Sequence, residues 1–191
     1  MKRFHEAMQE LERLEGGYSN NALDPGGETY RGISRVYFPD WKGWEVVDHE
    51  EDLSVTPVQR QLDQLVLQFY REQFWNRFQG DKVAELSQTI ANHLLECSVN
   101  LGVRRCVKHM QRAINLMNRN QKLYPDMIDD GKLGSITLSY LRKYLQSRPP
   151  AFDVAERRLL NIMNALQASH YIKQMEKYPQ REEFRGWFDR V

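Results

Sequence analysis

A glycine-rich stretch near the start of the chain carries the residues whose types and spacing best suit chemistry. Residues 15–32 read EGGYSNNALDPGGETYRG, with Glu15 first, Asp24 nine residues later and Thr29 five residues after that. Glu15 lies at the end of a predicted helix. The partial negative charge at a helix C-terminus, helped by apolar neighbours, favours a protonated carboxyl group. A protonated carboxyl facing a second polar group across a cleft is the arrangement used in glycoside hydrolysis.

The same loop also has a purely structural interpretation. The segment 24–27, Asp-Pro-Gly-Gly, is a typical turn whose Asp side chain hydrogen-bonds the backbone. A Glu at the end of a helix is commonly solvated. If the loop is functional, Tyr18 and Tyr30 flank it and are candidates to line a cleft, and Glu28 is a second carboxylate able to orient water.

Helical periodicity dominates the rest of the chain and predicts a mainly α fold. Apolar residues at spacings of three and four make residues 2–15 an amphipathic helix that stops at two glycines. Further helices are predicted over 56–78, 86–101, 103–118, 135–146 and 152–177, with a last short helical turn after them. Extended pieces occur only within 18–34, so the predicted sheet is one small hairpin that carries the candidate loop.

The loop resembles the N-terminal signature of glycoside hydrolase family 108, the N-acetylmuramidases of the lysozyme-like superfamily. Members show E-G-G-Y followed by D-x-G-G-x-T-x-x-G-I-[ST], and this chain matches from Glu15 to Ser34 but has Tyr30-Arg31 where many members have Asn-Phe. The order Glu15, Asp24, Thr29 is also similar to the Glu-Asp-Thr set of phage T4-type lysozymes. The resemblance implies that Glu15 is the general acid.

Later segments extend the resemblance over nearly the whole chain. LLECSVNLG is similar to a family segment in which Glu96 takes the usual Asp place and Asn100 is retained. MQRAIN and DGKLGSIT, in the second half, resemble the predicted peptidoglycan-binding part attached to these enzymes, and the ending FRGWFDRV resembles the family's closing Gly-Trp-x-x-Arg. The implied fold is a lysozyme-like helical fold, and Glu96 and Asn100 become candidate substrate contacts beside Tyr18, Glu28 and Tyr30.

The resemblance implies a hydrolase that cleaves the bond between N-acetylmuramic acid and N-acetylglucosamine in peptidoglycan, without a cofactor. The alternative is a non-catalytic wall-binding or secretion-assisting module on the same scaffold. The chain starts without an apolar leader, so synthesis in the cytoplasm is expected, with action at the cell wall or periplasm after export. A holin-type pore or a secretion machinery is the partner that such a route implies.

Charge is distributed unevenly along the chain. Residues 1–96 hold 10 Lys and Arg against 17 Asp and Glu, a net −7, whereas residues 97–191 hold 17 against 9, a net +8. The asymmetry indicates that the two halves have different roles. Together with the resemblance, it implies a catalytic region, 1–98, and a helical peptidoglycan-binding-like region, 99–191. Because no clean linker separates the two regions, we expect them to pack together. No motif supports a nucleic-acid partner for the basic half. No apolar run approaches the roughly 20 residues of a membrane span.

The two cysteines form the basis of a rival interpretation. His93 and Cys97 lie four residues apart on one predicted helix, and Cys106 and His109 three apart on the next, so two ligand pairs could in principle hold zinc. The spacing is not that of a standard zinc finger, and the cysteines stand among apolar residues. We expect reduced thiols and no metal site.

Overall fold

The computed structural model describes residues 2–12, 17–20, 27–50, 52–147 and 149–191. Its chain divides into two compact units, residues 1–77 and 78–191. The predicted division into 1–98 and 99–191 stays a prediction. The described residues are mainly helical, with a few short strands, which confirms the predicted fold class.

The first unit combines helices with a small antiparallel sheet. Its helices are α1 (Lys2–Glu12), α2 (Gly43–His49) and α3 (Thr56–Tyr70), and its strands are β1 (Tyr18–Asn20), β2 (Glu28–Tyr30) and β3 (Ile33–Ser34). The strands lie side by side in the order β1-β2-β3. After α3 the chain continues through a π-helical turn, Arg71–Trp75, and a 3-10 turn, Asn76–Phe78.

The core of the first unit is formed by α1 and the region from α3 to the π-helical turn. The predicted apolar face of α1 is buried, and the ring centroid of Phe4 lies 5.5 Å from that of Trp75. Trp41 stacks on Tyr30 and meets Trp44 edge to face at 5.0 Å. Trp41, Trp44 and Trp75 are all buried and contribute to packing.

The described residues of the second unit form helices and loops and no strands. This unit contains α4 (Gly80–Ala84), α5 (Gln88–Leu101), α6 (Val103–Leu116), α7 (Ser135–Gln146) and α8 (Phe152–Lys177), followed by 3-10 turns at Pro179–Glu183 and Arg185–Arg190. The helix α6 packs against α5, α7 and α8. Among the described helices, none combines the length and apolar composition that crossing a bilayer requires.

The expectation of reduced thiols is wrong, because Cys97 and Cys106 form a disulfide with Cα atoms 5.9 Å apart. Helices α5 and α6 meet at Gly102, whose φ of +82° suits glycine and lets the chain reverse within one residue. That reversal brings the two cysteine side chains together. With both sulfurs bonded to each other, neither serves as a metal ligand, and the described residues contain no group of three metal-binding side chains.

Candidate active site

The hairpin formed by β2 and β3 is fixed at its turn. Tyr30 pairs with Ile33, and the two residues between them, Arg31 and Gly32, both have positive φ, +46° and +80°, as in the type I′ turns of tight hairpins. The hydroxyl of Tyr70 on α3 donates to the Arg31 carbonyl at 2.8 Å. The Arg31 guanidinium also pairs with Asp63 on the same helix. The turn is therefore attached to α3 through both backbone and side chain.

Glu28, at the start of β2, has both carboxylate oxygens engaged. Tyr18 on β1 donates its hydroxyl to Oε1 at 3.0 Å, and Nε of Arg35 lies 2.6 Å from Oε2. Tyr18 lies diagonally across the strand pair from Glu28, a position that long side chains can bridge. Desolvation and the nearby Glu28 carboxylate raise the pKa of Tyr18, so its hydroxyl remains a donor.

Arg35, one residue after β3, connects Glu28 to α2. Its guanidinium nitrogens lie 3.0 and 2.6 Å from the two carboxylate oxygens of Asp48, and its Cζ atom lies 4.3 Å from the ring centroid of Trp44. The Arg35 hydrogen bonds hold the pKa of Asp48 below its usual value, and hydrogen bonding to Asp48 raises the pKa of Arg35. Arg35 and Asp48 were not predicted as site residues, since nothing in their spacing places them beside Glu28.

Thr29 and Tyr30 follow Glu28 along β2. Thr29 pairs with Ser19 on one side and Ser34 on the other, and its hydroxyl donates to the Gly27 carbonyl at 3.2 Å. Tyr30 is 7% exposed, with its ring stacked on Trp41 at 5.9 Å between centroids. Successive strand residues alternate between faces, so Thr29 lies on the face opposite Glu28 and Tyr30.

The structure brings together four of the predicted site residues, Tyr18, Glu28, Thr29 and Tyr30, on one small sheet. Glu15 and Asp24 lie outside the described residues. Glu96 and Asn100 lie one turn apart on α5, where the Asn100 amide donates to the Glu96 carbonyl at 2.9 Å. The roles assigned to all eight residues stay predictions.

Comparison with known proteins links this site to one family. The family model of glycosyl hydrolase 108 matches residues 8–102, a segment that includes every predicted site residue. This region of the chain belongs to the glycosyl hydrolase 108 family. The resemblance inferred from the sequence motifs is thereby confirmed, and it supports glycoside hydrolysis, with peptidoglycan as the general substrate.

The fold of the whole chain has a solved counterpart. The chain is similar to a solved structure of SagA from Brucella abortus, with 23% sequence identity and a TM-score of 0.53. The likeness covers 97% of this chain and 95% of that one. A likeness at this identity establishes shared fold, and it extends over both units. No curated protein sequence matches the chain.

The motifs of the second half lie beyond the glycosyl hydrolase 108 region, and the structure shows what their polar residues do. The Gln111 amide accepts from the Gly131 backbone and donates to Asp130 and to the Lys132 carbonyl, all within 2.9–3.1 Å. Asn115 forms a similar pair of bonds with the backbone of Met127. Gln111 and Asn115 on α6 therefore hold the loop before α7 in place, and these contacts account for both residues structurally.

A groove of about 340 Å³ lies within the first unit, between residues 37–42 and the helical region 65–73. Tyr37, at its edge, is 68% exposed, whereas Trp41 and Phe69 in its wall are buried. The polar side chains Gln68 and Glu72 hydrogen-bond each other at 2.9 Å along its rim. Concave surfaces with aromatic walls and a polar rim suit sugar rings, although no sequence motif points to these residues.

Proposed function

We propose that this chain is an N-acetylmuramidase that hydrolyses the bond between N-acetylmuramic acid and N-acetylglucosamine in peptidoglycan. The observation that carries the proposal is the glycosyl hydrolase 108 match over residues 8–102, which includes the motif from Glu15 to Thr29. Glu15 is the proposed general acid, which protonates the leaving glycosidic oxygen while water attacks the sugar carbon.

Two further residues are proposed to support the developing charge and the attacking water. Asp24 stabilises positive charge at the sugar ring or orients the water, and Thr29 holds the water. Glu28 is less suited to moving a proton, because its two oxygens are engaged by Tyr18 and Arg35. Glu28 is better suited to fixing the sheet and to accepting hydrogen bonds from sugar hydroxyls.

The decisive experiment is the substitution Glu15→Gln, which keeps the size of the side chain and removes the transferable proton. We expect release of reducing ends from purified peptidoglycan to fall about 10²–10⁴-fold, the usual contribution of general acid–base catalysis. Glu6→Gln, at an exposed position on α1, is the control and should retain activity. Mass spectrometry of the released muropeptides identifies the bond that is cleaved.

Two results would contradict the mechanism. Full hydrolysis by the Glu15→Gln variant would exclude Glu15 as the acid. Wild-type protein that sediments with peptidoglycan but releases no reducing ends would support the non-catalytic wall-binding or secretion-assisting alternative instead.

Asp24→Asn tests the supporting role separately. We expect a smaller loss of hydrolysis than for Glu15→Gln, because a charge that stabilises the sugar ring assists a step that the acid still carries out. Equal losses in the two variants would make Asp24 an equal partner in catalysis.

We also propose that the chain acts at the cell wall, outside the cytoplasm, after export through a holin-type pore or a secretion machinery. The Cys97–Cys106 disulfide supports this location, since disulfides persist in oxidising compartments and are rare in reducing ones. Alkylation of free thiols in chain recovered from separate cell fractions would test it. Chain that is labelled at both cysteines in the wall or periplasmic fraction would contradict it.

A further inference from the structure

The second unit contains a groove that the proposed hydrolysis does not use. It has a volume of about 430 Å³ and lies between the end of α6 with its following loop, the end of α7 and the first turns of α8. Much of its lining is apolar: Leu116, Met117, Leu123, Pro149 and Pro150. Leu116 is 59% exposed, so part of this apolar surface is open to solvent.

A buried hydroxyl in the groove lacks a hydrogen-bond partner. Tyr144 on α7 lines the groove and is 3% exposed, and its hydroxyl oxygen is buried with no partner. Burial raises the pKa of this hydroxyl, and the nearby guanidinium of Arg158 opposes that shift. Tyr144 is therefore protonated at neutral pH and has a proton to donate. Buried polar groups normally form hydrogen bonds, so an acceptor from a bound ligand would supply the hydrogen bond that the Tyr144 hydroxyl lacks.

The charged side chains around the groove are positive. Arg119 and Arg158 both line it, and the described residues of its lining include no carboxylate. The unit as a whole holds 18 Lys and Arg against 12 Asp and Glu, a net +6. Two arginines that line the same groove as this hydroxyl favour an anion with several acceptor oxygens, such as a carboxylate or a phosphate.

The backbone around Arg119 is held in a conformation that side chains rarely adopt. Arg119, Asn120 and Gln121 have φ values of +59°, +56° and +62°. Asn118 keeps this loop in place, because its side-chain oxygen accepts from the Gln121 backbone at 2.9 Å and its carbonyl accepts from Leu123 at 3.1 Å. Consecutive left-handed residues other than glycine are costly and persist where the surrounding structure enforces them. The groove therefore has a preformed edge that presents Arg119.

We propose that this groove binds the free C-terminal carboxylate of a short peptide with small apolar side chains. The carboxylate is bound by Arg119, Arg158 and the Tyr144 hydroxyl, and the methyl groups pack against the apolar lining. Peptidoglycan stem peptides have this chemistry, and the choice of that source rests on the proposed function. A phosphate would satisfy the donors but leave the apolar lining uncovered, which favours the peptide.

The test is calorimetric titration of the full chain, carrying Glu15→Gln, with N-acetyl-D-alanyl-D-alanine. Its C-terminal amide and inorganic phosphate are the comparison ligands. We expect the free acid to bind and the amide to bind at least tenfold more weakly, since the amide removes the charge that the arginines recognise. No hydrolysis is needed for this measurement, so its outcome is independent of the proposed catalytic mechanism.

Two variants and a control locate the site. Tyr144→Phe and Arg158→Gln should each weaken binding of the free acid by about tenfold or more. Tyr144→Phe should leave the unfolding midpoint unchanged or raised, because it removes a buried hydroxyl that has no partner, whereas a purely structural tyrosine would lose stability and leave binding intact. Arg157→Gln, an exposed neighbour on α8 outside the groove lining, should bind as the parent does.

Each contrary result overturns a defined part of the proposal. Equal binding of acid and amide would exclude carboxylate recognition. Phosphate binding at the affinity of the peptide would make the groove a general oxyanion site and contradict the peptide assignment. Absence of peptide binding, in a chain whose parent sequence still hydrolyses peptidoglycan, would overturn the groove proposal and leave the hydrolase proposal standing.

Discussion

Opening the Cys97–Cys106 disulfide should destabilise the helix pair α5 and α6 by an amount that the chain separation sets. The two cysteines are nine residues apart, and closing a loop of that length in the unfolded chain removes conformational entropy worth about 2–3 kcal/mol at 25 °C. Cys97→Ser combined with Cys106→Ser removes the bond while nearly conserving volume. With a urea dependence of about 1–3 kcal/mol per molar, the unfolding midpoint of this region should fall by about 0.7–3 M.

Hydrogen exchange with mass spectrometry provides the local readout, because a chain with two compact units need not unfold in one step. Peptides covering residues 88–116 should lose protection at lower urea in the double variant than in the wild type. Reducing agent should shift the wild type to the same midpoint and leave the variant unchanged, which separates the bond from any effect of serine. Identical protection of wild type and variant, with and without reductant, would refute the reasoning.

Two other predictions concern buried polar groups. His93 on α5 has its pKa lowered to about 4 by burial and by His109, so the folded chain resists protonation that the unfolded chain accepts near pH 6.5. The free energy of unfolding should therefore fall as the pH decreases from about 6.5 to 4. His93→Leu should reduce this fall by up to about 3 kcal/mol. Curves of unfolding free energy against pH that run parallel for the variant and the wild type would contradict this prediction. Tyr70→Phe breaks the bond to the Arg31 carbonyl and should cost about 1–2 kcal/mol in urea unfolding, whereas Tyr37→Phe, at an exposed position, should cost nothing measurable. A Tyr70→Phe variant as stable as the wild type would show that the Tyr70 hydrogen bond does not stabilise the hairpin turn.

Sequence periodicity predicted the long helices well and the short ones poorly. The helices α7 and α8 begin and end at the predicted residues, because proline and loop-forming residues bound them. The helices α2 and α4 were not predicted, since five to seven residues are too few to show a 3.6-residue period. The π-helical turn Arg71–Trp75 was not predicted, because its aromatic residues fit an α-helical pattern equally well.

The candidate site was predictable only as far as residue types and their order allow. The hairpin follows from the glycines and extended residues of 18–34, and it places Tyr18, Glu28, Thr29 and Tyr30 on one sheet. The connection from Glu28 through Arg35 to Asp48 depends on strand register and on where α2 packs, and neither is encoded in local spacing. The disulfide was missed for the same reason, since it requires the tight reversal at Gly102.

Attachment of the hairpin turn to α3 has a consequence for how defects in this chain should be interpreted. The Tyr70 hydroxyl reaches a carbonyl 39 positions away in the sequence, so a helix remote from the motif supports the sheet that displays it. Random mutagenesis should therefore recover inactive clones with changes in α3 whose glycine-rich motif is intact. In such clones the contact between α3 and the hairpin turn is lost. A second-site substitution that restores this contact should restore activity while the motif stays unchanged.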